Sequence, residues 1–218
     1  MLEPGHDQAS GLRRFMSRRT AQILPVAGSG EHPGYVVRLA QSLCDTGLRV
    51  ALVTDFDQEL EQAMQGRPRK GFVALHAIEI GHGLSALTTL SEQCDITLVA
   101  VDDARLARGL SLPAHEAVVV SGSGPEAIAT SYARIKALVG LGSIREVCTL
   151  FDRVSAGEAA RSGHRRLAQA TSKFLGVDLA FVGAAPEPWV PGGYRPLAEA
   201  LADWTRYRIS RTPACLPH

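Results

Sequence analysis

The sequence predicts an α/β protein: one domain with a mostly parallel sheet and helices on both of its faces. Two observations carry this. Several short runs are apolar at nearly every position, the pattern of strands buried on both faces, and stretches of helical period separate them. A third observation agrees, because glycines or carboxylates follow the runs, where a chain leaves a parallel sheet on its way to a helix.

Taken in order, Ile23 to Ala27 is the first strand, and a helix from near Pro33 follows with Val36, Leu39, Ala40 and Leu43 on one face. Arg49 to Thr54, a short Phe72 to His76, Ile96 to Val101, Ala117 to Ser121, Val147 to Phe151 and Leu179 to Val182 are the remaining strands. Further helices are expected to start near Leu84, Pro125, Ser155 and Arg195. Two of these starts carry Ser-x-x-Glu, Ser123 with Glu126 and Ser155 with Glu158, the spacing of a capping box. Gly176 stands where a helix C-terminal cap is expected. Gln65 to Gly71 reads as a basic turn, Pro186 to Gly193 as an extended loop, and the segment from Thr212 as a frayed tail.

Composition narrows the function classes. The 218 residues are 45% hydrophobic with a net charge of +1 and interleaved signs, so no global field favours nucleic acid or an acidic membrane. Cys44, Cys94, Cys148 and Cys215 are far apart, which favours reduced thiols in a cytoplasmic protein over a disulfide framework. No apolar run approaches bilayer length, and the seven histidines show no metal-ligand spacing. Neither a G-x-S-x-G elbow nor a Ser-His-Asp arrangement stands out.

The first loop is the most informative part of the chain. Gly28-Ser29-Gly30-Glu31-His32-Pro33-Gly34 lies between strand and helix, where a phosphate loop would hold its ligand with backbone N-H groups, a lysine and a magnesium-binding hydroxyl. Glu31, His32 and Pro33 occupy the region of the missing Lys-Ser/Thr pair. Other strand ends carry Asp55 and Asp57, Asp102 and Asp103, and Asp152, which read either as solvated caps or as groups for a divalent metal. Gly28, Gly30 and Gly34 with Asp55 also allow a weak dinucleotide-binding reading.

Three stretches resemble the MinD/ParA-like P-loop ATPases, and among them the flagellar-number regulators of the FlhG (FleN) kind. Asp7-Gln8-Ala9-Ser10-Gly11-Leu12-Arg13 is similar to the D-Q-A-x-x-L-R motif of those regulators. Ala127 to Leu138 is similar to their A-I-T-D-A-Y-A-L-I-K-A-L helix. Phe151 to Val154, Arg165 to Leu167 and Phe174 to Gly176 resemble a third succession, so residues 7 to 200 are covered in order.

The resemblance implies a MinD-like domain over 21–208, an activator segment over 1–20 and a tail over 209–218. It also implies that the segment docks on an FlhF-type signal-recognition GTPase and stimulates it. In that docking Gln8 orders the catalytic region, Asp7 and Arg13 pair with polar groups, and Leu12 anchors beside Ala9. Flagellar switch-complex proteins or a flagellar transcription regulator are further implied partners, and the cell pole an implied destination.

The departures fall on the nucleotide site. The loop is about three residues short of G-K-G-G-V-G-K-T and supplies neither lysine, Ala100 stands where the family has its Walker B aspartate with Asp102 close by, and Asp152 replaces an asparagine that reads adenine. Asp55-Phe56-Asp57 resembles a surviving D-x-D. Gly28, Ser29, Gly30, Gly34, Asp55, Asp57, Asp102 and Asp152 are therefore expected to form a vestigial nucleotide site, with no catalytic residue, no metal and no cofactor. The alternative is a working ATPase that needs ATP and magnesium. In the family a C-terminal amphipathic helix binds lipid; here Leu197, Leu201, Trp204 and Tyr207 fit a helix packed on the sheet better than stable membrane binding.

Overall fold

Each apolar run becomes a strand of one seven-stranded, all-parallel sheet of order β3-β2-β4-β1-β5-β6-β7. The computed structural model describes residues 22–55, 61, 71–76, 93–107, 114–152, 154, 157–185 and 192–209. The strands are β1 (Gln22–Ala27), β2 (Val50–Thr54), β3 (Phe72–His76), β4 (Ile96–Ala100), β5 (Glu116–Ser121), β6 (Glu146–Phe151) and β7 (Leu179–Ala184). Among the described residues the helices with defined bounds are α1 (Pro33–Asp45), α2 (Asp103–Ala107), α3 (Pro125–Gly140), α4 (Gly157–Leu175) and α5 (Arg195–Ile209). Residues 1–20, Asp57, Ser155, the helix expected near Leu84, most of the basic turn, the loop 186–191 and the tail from 210 lie outside the described residues.

The strands are apolar throughout because both faces are covered. Leu24 and Val26 of β1 pack with Leu52, Leu98, Val118 and Leu150 beneath α1 and α5, which contribute Leu39, Leu43, Leu197 and Leu201. Ile23 and Ala27 point the other way, into a layer with Val99, Val119 and Val147 beneath Leu106, Ile135, Leu138 and Leu167. Each fully buried leucine of this kind contributes about 1.5–3 kcal/mol relative to exposure. Cys44, Cys94 and Cys148 are buried, and burial pushes the Cys148 thiol well above its ordinary value.

Local chemistry explains the boundaries that differ from expectation. Arg49 does not open β2, because its N-H and its guanidinium both bind the Asp95 carboxylate. The capping box at Ser123 does not form: extended Gly124 is the N-cap of α3 with no side-chain hydrogen bond, and Pro125 supplies the preset first turn. Gly176 does close α4, adopting φ 67° and donating its N-H to Ser172 at 3.3 Å. The short α2 was not expected. Asp102 caps it, its Oδ1 accepting the Ala104 N-H at 2.8 Å.

β1 lies between β4 and β5, so the chain crosses over to opposite sides of it. The crevice beyond its carboxyl end is the topological switch point, where α/β sheets place their ligands.

Candidate functional site

The loop that leaves β1 at this crevice is closed by the chain's own charges. Gly28 takes φ 82°, and its N-H donates to Asp103 Oδ1 at 2.8 Å. Ser29, fully buried, donates its hydroxyl to the Val101 carbonyl at 3.1 Å, and Ser29–Glu31 forms one 3-10 turn. Arg134 reaches across from α3, donating to Asp103 at 2.5 Å and to Glu31 at 2.6 Å. Two carboxylates thus share one guanidinium whose side chain is only 9% exposed.

The electrostatics follow from this packing. Desolvation, the largest single influence on Arg134, pulls its pKa down, but its hydrogen bonds to Glu31 and Asp103 outweigh this and raise it. The same bond to Arg134 holds the Glu31 carboxyl below its ordinary 4.5. A depressed carboxyl contributes stability in full above 4.5, and loses it as pH falls through the lowered value. Glu31 is 55% exposed, so solvent screening keeps the contribution below about 1 kcal/mol. Urea titrations should therefore show Glu31→Gln less stable than the parent near pH 7. The difference is expected to shrink as pH falls through the lowered Glu31 value.

A second contact closes the far side. His32 Nδ1 lies 2.9 Å from Asp152 Oδ2, and Asp152 itself is 8% exposed at the end of β6. Asp55 accepts the Asp102 N-H at 3.2 Å through Oδ2 and approaches Arg105 at 3.9 Å, while its Oδ1 is buried with no hydrogen-bond partner among the described residues.

The structure thus brings Gly28, Ser29, Asp55, Asp102 and Asp152 around one crevice. Gly30 is exposed at the tip of the 3-10 turn, and Gly34 lies in the first turn of α1. Asp57 is outside the described residues. The expected site omitted Glu31, His32, Asp103 and Arg134. One signal for Arg134 was present, since on α3 it falls beside the buried stripe of Ser131, Ile135 and Leu138, where an arginine needs a partner.

These residues do not fit magnesium and a triphosphate. The loop amide at Gly28 already has a carboxylate, the Ser29 hydroxyl is spent on a carbonyl, and Glu31 would repel phosphate in a loop with no lysine. Among the described residues no group of three His, Cys, Asp or Glu side chains could hold a metal ion. No helix among them is long and apolar enough to cross a membrane.

No protein-family model matches the sequence, and no curated protein matches it. Solved structures do. The chain is similar to a chain of the MinC:MinD cell division protein complex of Aquifex aeolicus at 15% identity and TM-score 0.57, over 91% of this chain and 99% of that one. MinD cell division protein of Aquifex aeolicus gives 15% identity and TM-score 0.53, over 90% and 100%. A plasmid partition protein from Borrelia burgdorferi gives 9% and 0.52, over 84% and 99%. At such identities the likeness is one of architecture: the chain has the α/β fold of MinD-like P-loop NTPases.

Proposed function

We propose that this protein is a flagellar regulator of the FlhG kind that acts by binding and not by ATP turnover. In this reading the segment Asp7 to Arg13 engages and stimulates an FlhF-type GTPase, with Gln8 and Leu12 making the decisive contacts. One observation carries it: the Gly28 N-H and the Arg134 guanidinium at the mouth of the first loop are both already engaged by the Asp103 carboxylate. With the switch disabled, the inherited fold presents surfaces instead of cycling. The choice of partner rests on the similarity of residues 7–13 to the activator motif, and a helix-in-groove contact lets so short a segment suffice. Switch-complex proteins or a flagellar transcription regulator, and recruitment to the cell pole, belong to the same proposal.

Two measurements test it. Calorimetry with Mg-ATP should show no saturable binding below about 1 mM, a weak free energy for a site built around phosphates. Micromolar affinity with turnover would establish the ATPase reading instead. Added to an FlhF-type GTPase, the full chain should accelerate GTP hydrolysis, and Gln8→Ala or Leu12→Ala should remove about tenfold of that effect or more, the loss of one anchoring contact. Unchanged stimulation by both variants would end the proposed role of the segment.

A further inference from the structure

We propose that the first loop is a self-plugged anion site, in which Arg134 supplies the cation that the loop lacks and the Asp103 carboxylate sits where a phosphate-type oxyanion would be held. The inference rests on the binding-only reading above, and deepens it by naming what closes the site and what would reopen it. The site has the parts such an anion requires. Gly28, in the left-handed region, turns its N-H outward to a carboxylate oxygen 2.8 Å away. The Arg134 guanidinium reaches the other Asp103 oxygen at 2.5 Å and Glu31 at 2.6 Å. A cation and a backbone donor converging on two oxygens of one group is the arrangement that recognises a carboxylate or a phosphate alike.

The charge balance explains why the site is shut. Two carboxylates already face one guanidinium, so a further anion enters only if one of them withdraws or is neutralised. Asp103 is carried on α2, a helix of five residues. Asp103 and Arg134 themselves line a cavity of about 280 Å³ between α2 and α3, together with Leu106, Thr130, Leu138 and four alanines. Three alanines, Ala27, Ala133 and Ala137, face this short helix across the cavity and leave room for α2 to shift with little repacking, whereas a filled core would resist. Asp103 is thus a plug on a movable support, and Arg134, on the sixteen-residue α3, is the fixed half.

The test removes the plug's charge while keeping its shape. Inorganic phosphate, and ATP without magnesium, are titrated into the full chain with the Gly28 amide followed by NMR. The parent is expected to show no saturation by about 10 mM, whereas Asp103→Asn with Glu31→Gln should saturate at a concentration at least about tenfold lower, as one freed guanidinium contact allows. Adding Arg134→Met to that pair should abolish the gain. Saturation by either ligand that depends on Arg134 supports the proposal, and the ligand preferred tells a free phosphate from a nucleotide's phosphoryl group. No binding of either ligand to the folded double variant, or binding that survives Arg134→Met, overturns it. Should the double variant not fold, Asp103→Asn alone carries the test, with weaker but Arg134-dependent saturation expected and its absence decisive. Micromolar binding of Mg-ATP to the parent chain would instead strike at the binding-only reading, so the two failures are distinguishable.

Discussion

Phe151→Ala is expected to cost about 4 kcal/mol, lowering the thermal midpoint by roughly 10 °C for a chain of this size. Phe151 closes β6 with no exposed surface, in a cluster with Val154 and Ala160 that Ile128 and Phe181 border. Its ring is tilted against that of Phe181 at 6.0 Å between centroids. A Cβ placed on Gly163 of α4 would lie 3.0 Å from the Phe151 ring, so helix and ring are already in close contact and the space left by alanine would not refill by small adjustments. The consequence reaches the site, because Asp152 is the next residue and its N-H is held by the Ser121 carbonyl at 3.0 Å. Loosening the end of β6 should therefore also weaken the His32–Asp152 contact. A urea titration showing a loss below about 1 kcal/mol would mean that the ring is not a core group.

The sheet was legible because burial on both faces writes itself into consecutive residues. Ile96 to Ala100 is apolar at four of five positions and its one polar residue, Thr97, is fully buried, so the run announces a central strand without reference to anything distant. Helices marked by a proline at the first turn, as at Pro33 and Pro125, were legible for the same local reason. The short α2 was not, since five residues give no period to read and its cap, Asp102, looked equally like a site carboxylate. At Ser123 the spacing of a capping box was present, but the chain enters the helix one residue later, through Gly124.

The candidate site divides along the same line. That carboxylates and glycines would gather at the carboxyl ends of the strands follows from the fold, and Asp55, Asp102 and Asp152 do gather there. Which charges meet is a matter of tertiary structure: Arg134 and Glu31 are 103 residues apart, and His32 and Asp152 are 120 apart. The loop's own residues show that it lacks a cation. That an arginine from α3 comes to the loop, bringing Asp103 with it, is set by tertiary contacts that no local pattern records.

Gly28→Ala is expected to be the other costly change, at about 3 kcal/mol, and it separates two physical causes. The first is the backbone: at φ 82° an alanine sits in the left-handed region, which disfavours L-residues by roughly 1–2 kcal/mol. The second is contact, since a Cβ there would lie 2.5 Å from the Val120 carbonyl oxygen, a backbone atom of β5 that cannot swing away as a side-chain tip can. It would also lie 3.3 Å from Arg134 Nη1, so the group bridging Glu31 and Asp103 would have to give as well. Gly47→Ala isolates the first cause, because Gly47 has φ 90° and nothing within 4 Å of the added carbon. It should cost only about 1 kcal/mol. Chemical denaturation of the two variants side by side therefore measures how tightly the loop is drawn against β5. Equal losses would mean that the loop stands free of the strand and that the closure of the crevice by Arg134 and Asp103 is not enforced by packing. A loss at Gly28 about 2 kcal/mol larger would place the close approach of β1 to β5 among the forces that hold the plug in place.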